Sequence, residues 1–139
     1  MGHSPLTIKA QIQISKSPAD VYEAIIDPEK MSHYFIAESS GRMEEEKTVE
    51  WKFPEFDMKF PVRIGKLKVN EYVSFYWNDT DGSELLVEIT LIPTGDFTHL
   101  VVTEGTKSTD EASIAWLGRN TEGWANFLAC MKAYLEYGI

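Results

Sequence analysis

A chain of 139 residues, 43% hydrophobic and 25% charged, suits one domain spanning 1–139. At that size folding buries about 68% of the unfolded surface, enough for a core without staples. A net charge of −9 without clustered Lys and Arg argues against nucleic acid and anionic membrane surfaces as partners. The single cysteine, Cys130, allows no intrachain disulfide and no cysteine metal site, and no apolar run approaches the ~18 residues of a membrane span.

The opening MGHSPLTIKA lacks a basic segment followed by an apolar one, so no secretory leader is expected and a reducing, cytoplasmic setting is the default. Ile8, Ala10, Ile12 and Ile14 alternate with Lys9, Gln11, Gln13 and Ser15, the pattern of a half-buried strand. Ser17-Pro18-Ala19-Asp20 then opens a helix: Ser17 caps, Pro18 suits the first helical position, and Asp20 complements the dipole. Val21, Tyr22, Ile25 and Ile26 supply its apolar face. Asp27-Pro28 breaks it, and Pro28 to Tyr34 reads as a second short helix at an angle.

From Phe35 the period drops to two. Val49, Trp51 and Phe53 form one strand face; Met58, Phe60, Val62 and Ile64 form the next, with Gly65 as a bulge before Leu67 and Val69. Val73, Phe75 and Trp77 follow, then a polar turn over 78–83. Leu85, Val87, Ile89 and Leu91 precede a connection at Pro93-Thr94-Gly95-Asp96, and Leu100 and Val102 complete the strands. Thr109-Asp110-Glu111 offers a helix N-cap, although Gly118 and Gly123 weaken the case for helix over 110–119. Over Asn120–Gly138, Trp124, Phe127, Leu128, Met131, Tyr134 and Leu135 fall on one stripe, with Glu122, Asn126, Ala133 and Glu136 on the other side. Such a helix, after a run of antiparallel strands, buries its stripe against their concave face. The space between them is either filled or holds a ligand.

Several segments together resemble the START-like superfamily, also called the helix-grip or SRPBCC group. The branch they resemble comprises the AHSA-type bacterial proteins similar to the activator of the ninety-kilodalton heat-shock chaperone ATPase. Ser17-Pro18-Ala19-Asp20-Val21-Tyr22-Glu23-Ala24 with Asp27-Pro28 is similar to that family's opening, and Met31, Tyr34 and Phe35 to its aromatic pair. Glu71 to Trp77 looks like its central strand, and Thr98 to Gly105 like its T-x-L-x-x-T-[EH]-x-G strand. Gly123-Trp124, Phe127-Leu128 and Lys132 to Ile139 resemble its closing helix. The resemblance implies an α+β, birch-pollen-allergen-like fold: a curved antiparallel sheet wrapped around a long C-terminal helix, two short helices after strand 1, and a hydrophobic cavity between helix and sheet. Two departures stand out: Tyr34-Phe35 replaces a tryptophan-led pair at the mouth of the cavity, and Glu44-Glu45-Glu46 replaces a stretch of small residues.

Motifs for catalysis are lacking. His3, His33 and His99 share no metal-ligand spacing, and no nucleophile elbow or glycine-rich phosphate loop occurs, so neither metal nor cofactor is expected. His33 reads as a solvated helix residue or as part of an opening; His99 alternates out of phase with Leu100 and Val102 and belongs on the surface. Cys130, beside the apolar stripe, reads as a buried structural thiol. Counting by two from Leu100 puts Glu104 inward as a ligand-orienting group or base, unless a twist or bulge near the strand's end turns it to solvent. The indole of Trp124 needs a hydrogen-bond partner, which an enclosed space would supply. Arg63 should point outward and pair with acidic neighbours, and Glu44 to Glu46 reads as a solvated loop or strand edge.

The expected function is non-enzymatic binding of an apolar or amphipathic small molecule, lipid-like or aromatic. Its walls would be Trp51, Phe75, Trp77, Trp124, Leu128 and Met131, with Glu104 and Tyr34 as polar handles. One alternative is a chaperone-regulating or stress-related interaction module, with a chaperone as partner. Another is a cyclase- or hydrolase-like enzyme pairing Glu104 with Tyr34 or His33.

Overall fold

The computed structural model describes residues 6–55, 57–78, 82, 84–107 and 110–138. His3, Thr109, Ile139 and most of the 78–83 turn lie outside them. The alternating N-terminal segment forms β1 (Leu6–Ile14), with Ile8 and Ile14 buried and Lys9, Gln11 and Gln13 exposed. Ser17 caps α1 (Pro18–Ile26), its hydroxyl accepting from the Asp20 N–H at 3.2 Å. Asp27 both ends α1 and starts α2 (Pro28–Met31), its carboxylate accepting from the Glu29 N–H at 2.9 Å. Helix α2 stops at Met31, short of the expected Tyr34: residues 32–35 continue as turns, and the Tyr34 hydroxyl donates back to the Ala24 carbonyl at 2.8 Å.

Then follow β2 (Glu38–Ser39), β3 (Thr48–Lys52), β4 (Lys59–Lys68), β5 (Tyr72–Asn78), β6 (Glu84–Thr94) and β7 (Phe97–Lys107). They join β1 in one antiparallel sheet of order β1-β7-β6-β5-β4-β3-β2. Gly65 does mark a bulge: Ile64 pairs with Phe75 but Leu67 with Val73, so β4 carries one extra residue there. Only glycine fits, because a Cβ would lie 2.6 Å from the Ser74 hydroxyl oxygen. That oxygen accepts from the Lys66 N–H at 2.8 Å and holds the bulge in place. Two side chains assigned to the β4 face are exposed instead: Met58 (61%) precedes the strand, and Val69 (69%) enters the following turn. The β6–β7 connection is tighter than expected, since Pro93 and Thr94 stay in the ladder and only Gly95 (φ 63°) and Asp96 make the turn.

Helix α3 (Glu111–Tyr137) runs unbroken through both glycines. Asp110 caps it by accepting from the Ser113 N–H at 2.8 Å, and Gly138 closes it in the left-handed region (φ 70°). Each interior glycine costs about 1 kcal/mol against alanine, while burying Trp116 and Trp124 on the sheet side contributes more than both. Cys130 is only half-buried, its Sγ 3.9 Å from Asn126 Oδ1, because it sits at the margin of the stripe and not on it. Outward-facing Arg63 pairs with Glu84 at 2.6 Å and lies over the Tyr76 ring, as the alternation implies, and Glu44 to Glu46 are exposed in a loop.

Candidate functional site

Leu100, Val102 and Glu104 succeed one another on the inner face of β7, and Glu104 is 1% exposed. Its parity holds because β7 pairs regularly on both sides up to this residue, opposite Ile8 of β1 and Val87 of β6. The irregularity that would rotate the strand comes one step later, between Leu6 and Thr7 of β1. There Gly105 lets the strands close, since a Cβ would meet the Thr7 Cα at 3.1 Å.

Three neutral N–H groups converge on the buried carboxylate. Trp77, at the end of β5, donates its indole N–H to Oε2 at 2.6 Å. Asn120 and Trp124, one turn apart on α3, donate to Oε1 at 3.0 and 3.1 Å. Indole and amide N–H groups only donate, so the arrangement matches a carboxylate that accepts on both oxygens. Among the described residues no Lys or Arg forms an ion pair with it. Taking a carboxylate out of water costs several kcal/mol, which these hydrogen bonds offset at about 1.5–3 kcal/mol each.

Around the carboxylate the rings interlock. Trp77 lies 5.5 Å from Trp124 and 6.1 Å from Trp51, and Trp51 packs 5.2 Å from Phe75. Phe35 inserts from the turn after α2, 4.7 Å from Phe127 and 5.3 Å from Phe53. Trp51, Phe75 and Leu128 are each 1% exposed and Met131 is 0%, so under the C-terminal part of α3 the interior is filled by side chains. At the N-terminal half of the helix, two adjoining clefts share Phe53, Trp77 and Asn120. The smaller, about 210 Å³, also reaches Phe60, Pro61, Asn78, Leu85 and Glu104. The larger, about 360 Å³, reaches Phe35, Glu55, Arg119, Gly123 and Trp124.

The expected site residues therefore divide. Trp77, Glu104 and Trp124 line the clefts; Trp51, Phe75, Leu128 and Met131 pack behind them. Tyr34 is occupied with the Ala24 carbonyl, and burial pushes its phenol well above the usual range, so it braces α1 against the turn. His33 stacks on Tyr134 at 5.0 Å, ten residues along α3 from Trp124 and hence about 15 Å away along the axis. The structure does not bring His33 or Tyr34 to Glu104 as an acid–base partner. His99 lies half-buried, its Nε2 2.9 Å from Gln11 Oε1.

Phe35, expected at the mouth of the cavity, and Phe53 line the larger cleft, whereas Asn120 was not singled out as a site residue from sequence. Asn120 carried one legible signal: it sits four residues before Trp124 on the same helical face. Among the described residues no His, Cys, Asp and Glu cluster could hold a metal, and no helix is long and apolar enough to cross a membrane.

A seven-stranded antiparallel sheet closed over one long C-terminal helix, with two short helices after the first strand, defines the helix-grip class of α+β domains. Residues 15–136 match the family of activator of Hsp90 ATPase homolog 1-like proteins, and the chain belongs to that family. No curated protein matches it. Among solved structures it is similar to protein SSP2350 from Staphylococcus saprophyticus, with TM-score 0.84 and 28% identity over 96% of this chain and 94% of that one. The Aha1 dimer from Colwellia psychrerythraea gives TM-score 0.82 and 20% identity over 96% and 98%. DynU16, from the dynemicin biosynthetic locus, gives 0.82 and 22% over 95% of this chain and 48% of that one. The last two likenesses concern the fold.

Proposed function

We propose that this chain binds an apolar or amphipathic small molecule, without catalysis, in the paired clefts between the N-terminal half of α3 and the inner face of β3–β5. The observation that carries this reading is the polarity of the site: aromatic walls with one buried carboxylate, Glu104, at the smaller cleft. Ligand sites are mostly apolar with a few placed polar groups, and the joined clefts reach the lower part of the usual range of about 300–1,000 Å³. Burying ~200 Å² of apolar ligand surface contributes roughly 5 kcal/mol before association costs, which is compatible with micromolar binding. Native mass spectrometry with a broad panel of aromatic and lipid-like compounds tests the reading. Retention of none of them at high micromolar concentration would refute it.

Family membership supports a second reading, a chaperone-regulating interaction module. Pull-down with an Hsp90-type chaperone and measurement of its ATPase rate separate the two: binding and stimulation by a chain that retains no small molecule would favour the second.

A further inference from the structure

The two Glu104 oxygens do not use all their acceptor capacity. A carboxylate offers about four lone-pair positions. Among the described residues, Oε1 receives two donors, Asn120 Nδ2 and Trp124 Nε1, whereas Oε2 receives only Trp77 Nε1. One acceptor position therefore remains on Oε2, and Glu104 lines the smaller cleft.

Among the described residues, the rest of that cleft has no cation. Its polar side chains are Glu104, Asn78 and Asn120; the one Arg among the clefts, Arg119, lines the larger, where Glu55 lies too. A ligand carboxylate in the smaller cleft would face a buried like charge with nothing to neutralise it. A ligand O–H or N–H would instead fill the vacant acceptor position, in a setting where hydrogen bonds to charged groups are the strong ones.

We infer that the smaller cleft selects a neutral or cationic hydrogen-bond donor carried on an aromatic ring, a phenol, alcohol or amine, and rejects carboxylate-headed ligands such as fatty acids entering head first. The inference rests on the binding reading above and narrows it to a ligand class. The donor end lies at Glu104 and the apolar body extends past Trp77 and Trp124 into the larger cleft.

Matched two-ring probes test this. 2-Naphthol, 2-methylnaphthalene and 2-naphthoate share one skeleton and differ in the group offered to Glu104. Isothermal titration at pH 7.5 should rank 2-naphthol at least about tenfold tighter than 2-methylnaphthalene, with 2-naphthoate weakest. In Glu104→Gln, checked by circular dichroism for native fold, the spread should shrink to within about threefold as 2-naphthoate gains. Wild-type protein that binds 2-naphthoate as tightly as 2-naphthol would overturn the inference and leave the binding reading standing. So would an unchanged ranking in the folded variant. Failure of all three probes and of the broader panel would remove both. If Glu104→Gln does not fold, the wild-type ranking decides alone.

Discussion

The Trp77 indole donates to Glu104 Oε2 at 2.6 Å, tying the end of β5 to β7 over the intervening strand β6. With Asn120 and Trp124 bonded to the other oxygen, one carboxylate links two strands to the long helix. The same group that marks the cleft thus holds its walls together.

Replacing Glu104 by Gln keeps the shape but puts an NH2 against an N–H donor. Stability should fall by about 1–3 kcal/mol, because at least one buried donor loses its acceptor. Urea midpoints with an unchanged m-value check this; an unaltered midpoint would mean that the lost hydrogen bond contributes nothing net.

Gly65→Ala should destabilise by about 1–3 kcal/mol, since its Cβ would sit 2.6 Å from the Ser74 oxygen and the bulge must shift. Ser74→Ala removes that clash along with the bond to the Lys66 N–H. A double-mutant cycle should therefore show a loss smaller than the sum of the two single losses.

Leu128→Ala, in the filled region under α3, should cost about 2–5 kcal/mol by loss of burial and the void left behind. Tyr34→Phe should cost only about 1 kcal/mol, the value of its bond to the Ala24 carbonyl. Thermal melts distinguish the two; equal shifts would show that the Tyr34 hydroxyl does more than make its single bond to the Ala24 carbonyl.

Glu136 accepts from Lys132 Nζ at 2.7 Å and from the Ser15 N–H at 2.8 Å, and these bonds, the lysine's first, hold its carboxyl below the usual carboxylate range. A carboxyl lowered on folding contributes stability above its unfolded pKa, about 4.3, and loses it as pH falls through the folded value. Wild type should therefore melt above Glu136→Gln at pH 6–7, and the gap should close in acid. A gap that persists or widens below pH 3 would show the sign to be wrong.

Apart from β2, which no pattern marked, the outline of the fold was legible because the elements announced themselves locally. Ser17 and Asp27 cap the helices that follow them, Gly65 marks the bulge, and alternation carries the ladder from Val49 to Val102. The parity of Glu104 was legible too, yet not its outcome, since a single extra residue before position 104 would have reversed it. Asn120 was legible only as a neighbour of Trp124 on one helical face; its bond to Glu104 was not, because one amide between Gly118 and Gly123 looks like any solvated side chain until β7 is placed opposite.

The amino-acid order by itself determined most of the elements and their faces, because capping, turn geometry and hydrophobic period act over a few residues. Only the tertiary structure decided where the interior is open. Rings from the turn after α2, from β3, from β5 and from α3 meet under the C-terminal part of the helix and fill it, while the N-terminal half keeps its clefts. Filling depends on how side chains distant along the chain meet in space, which no local pattern encodes.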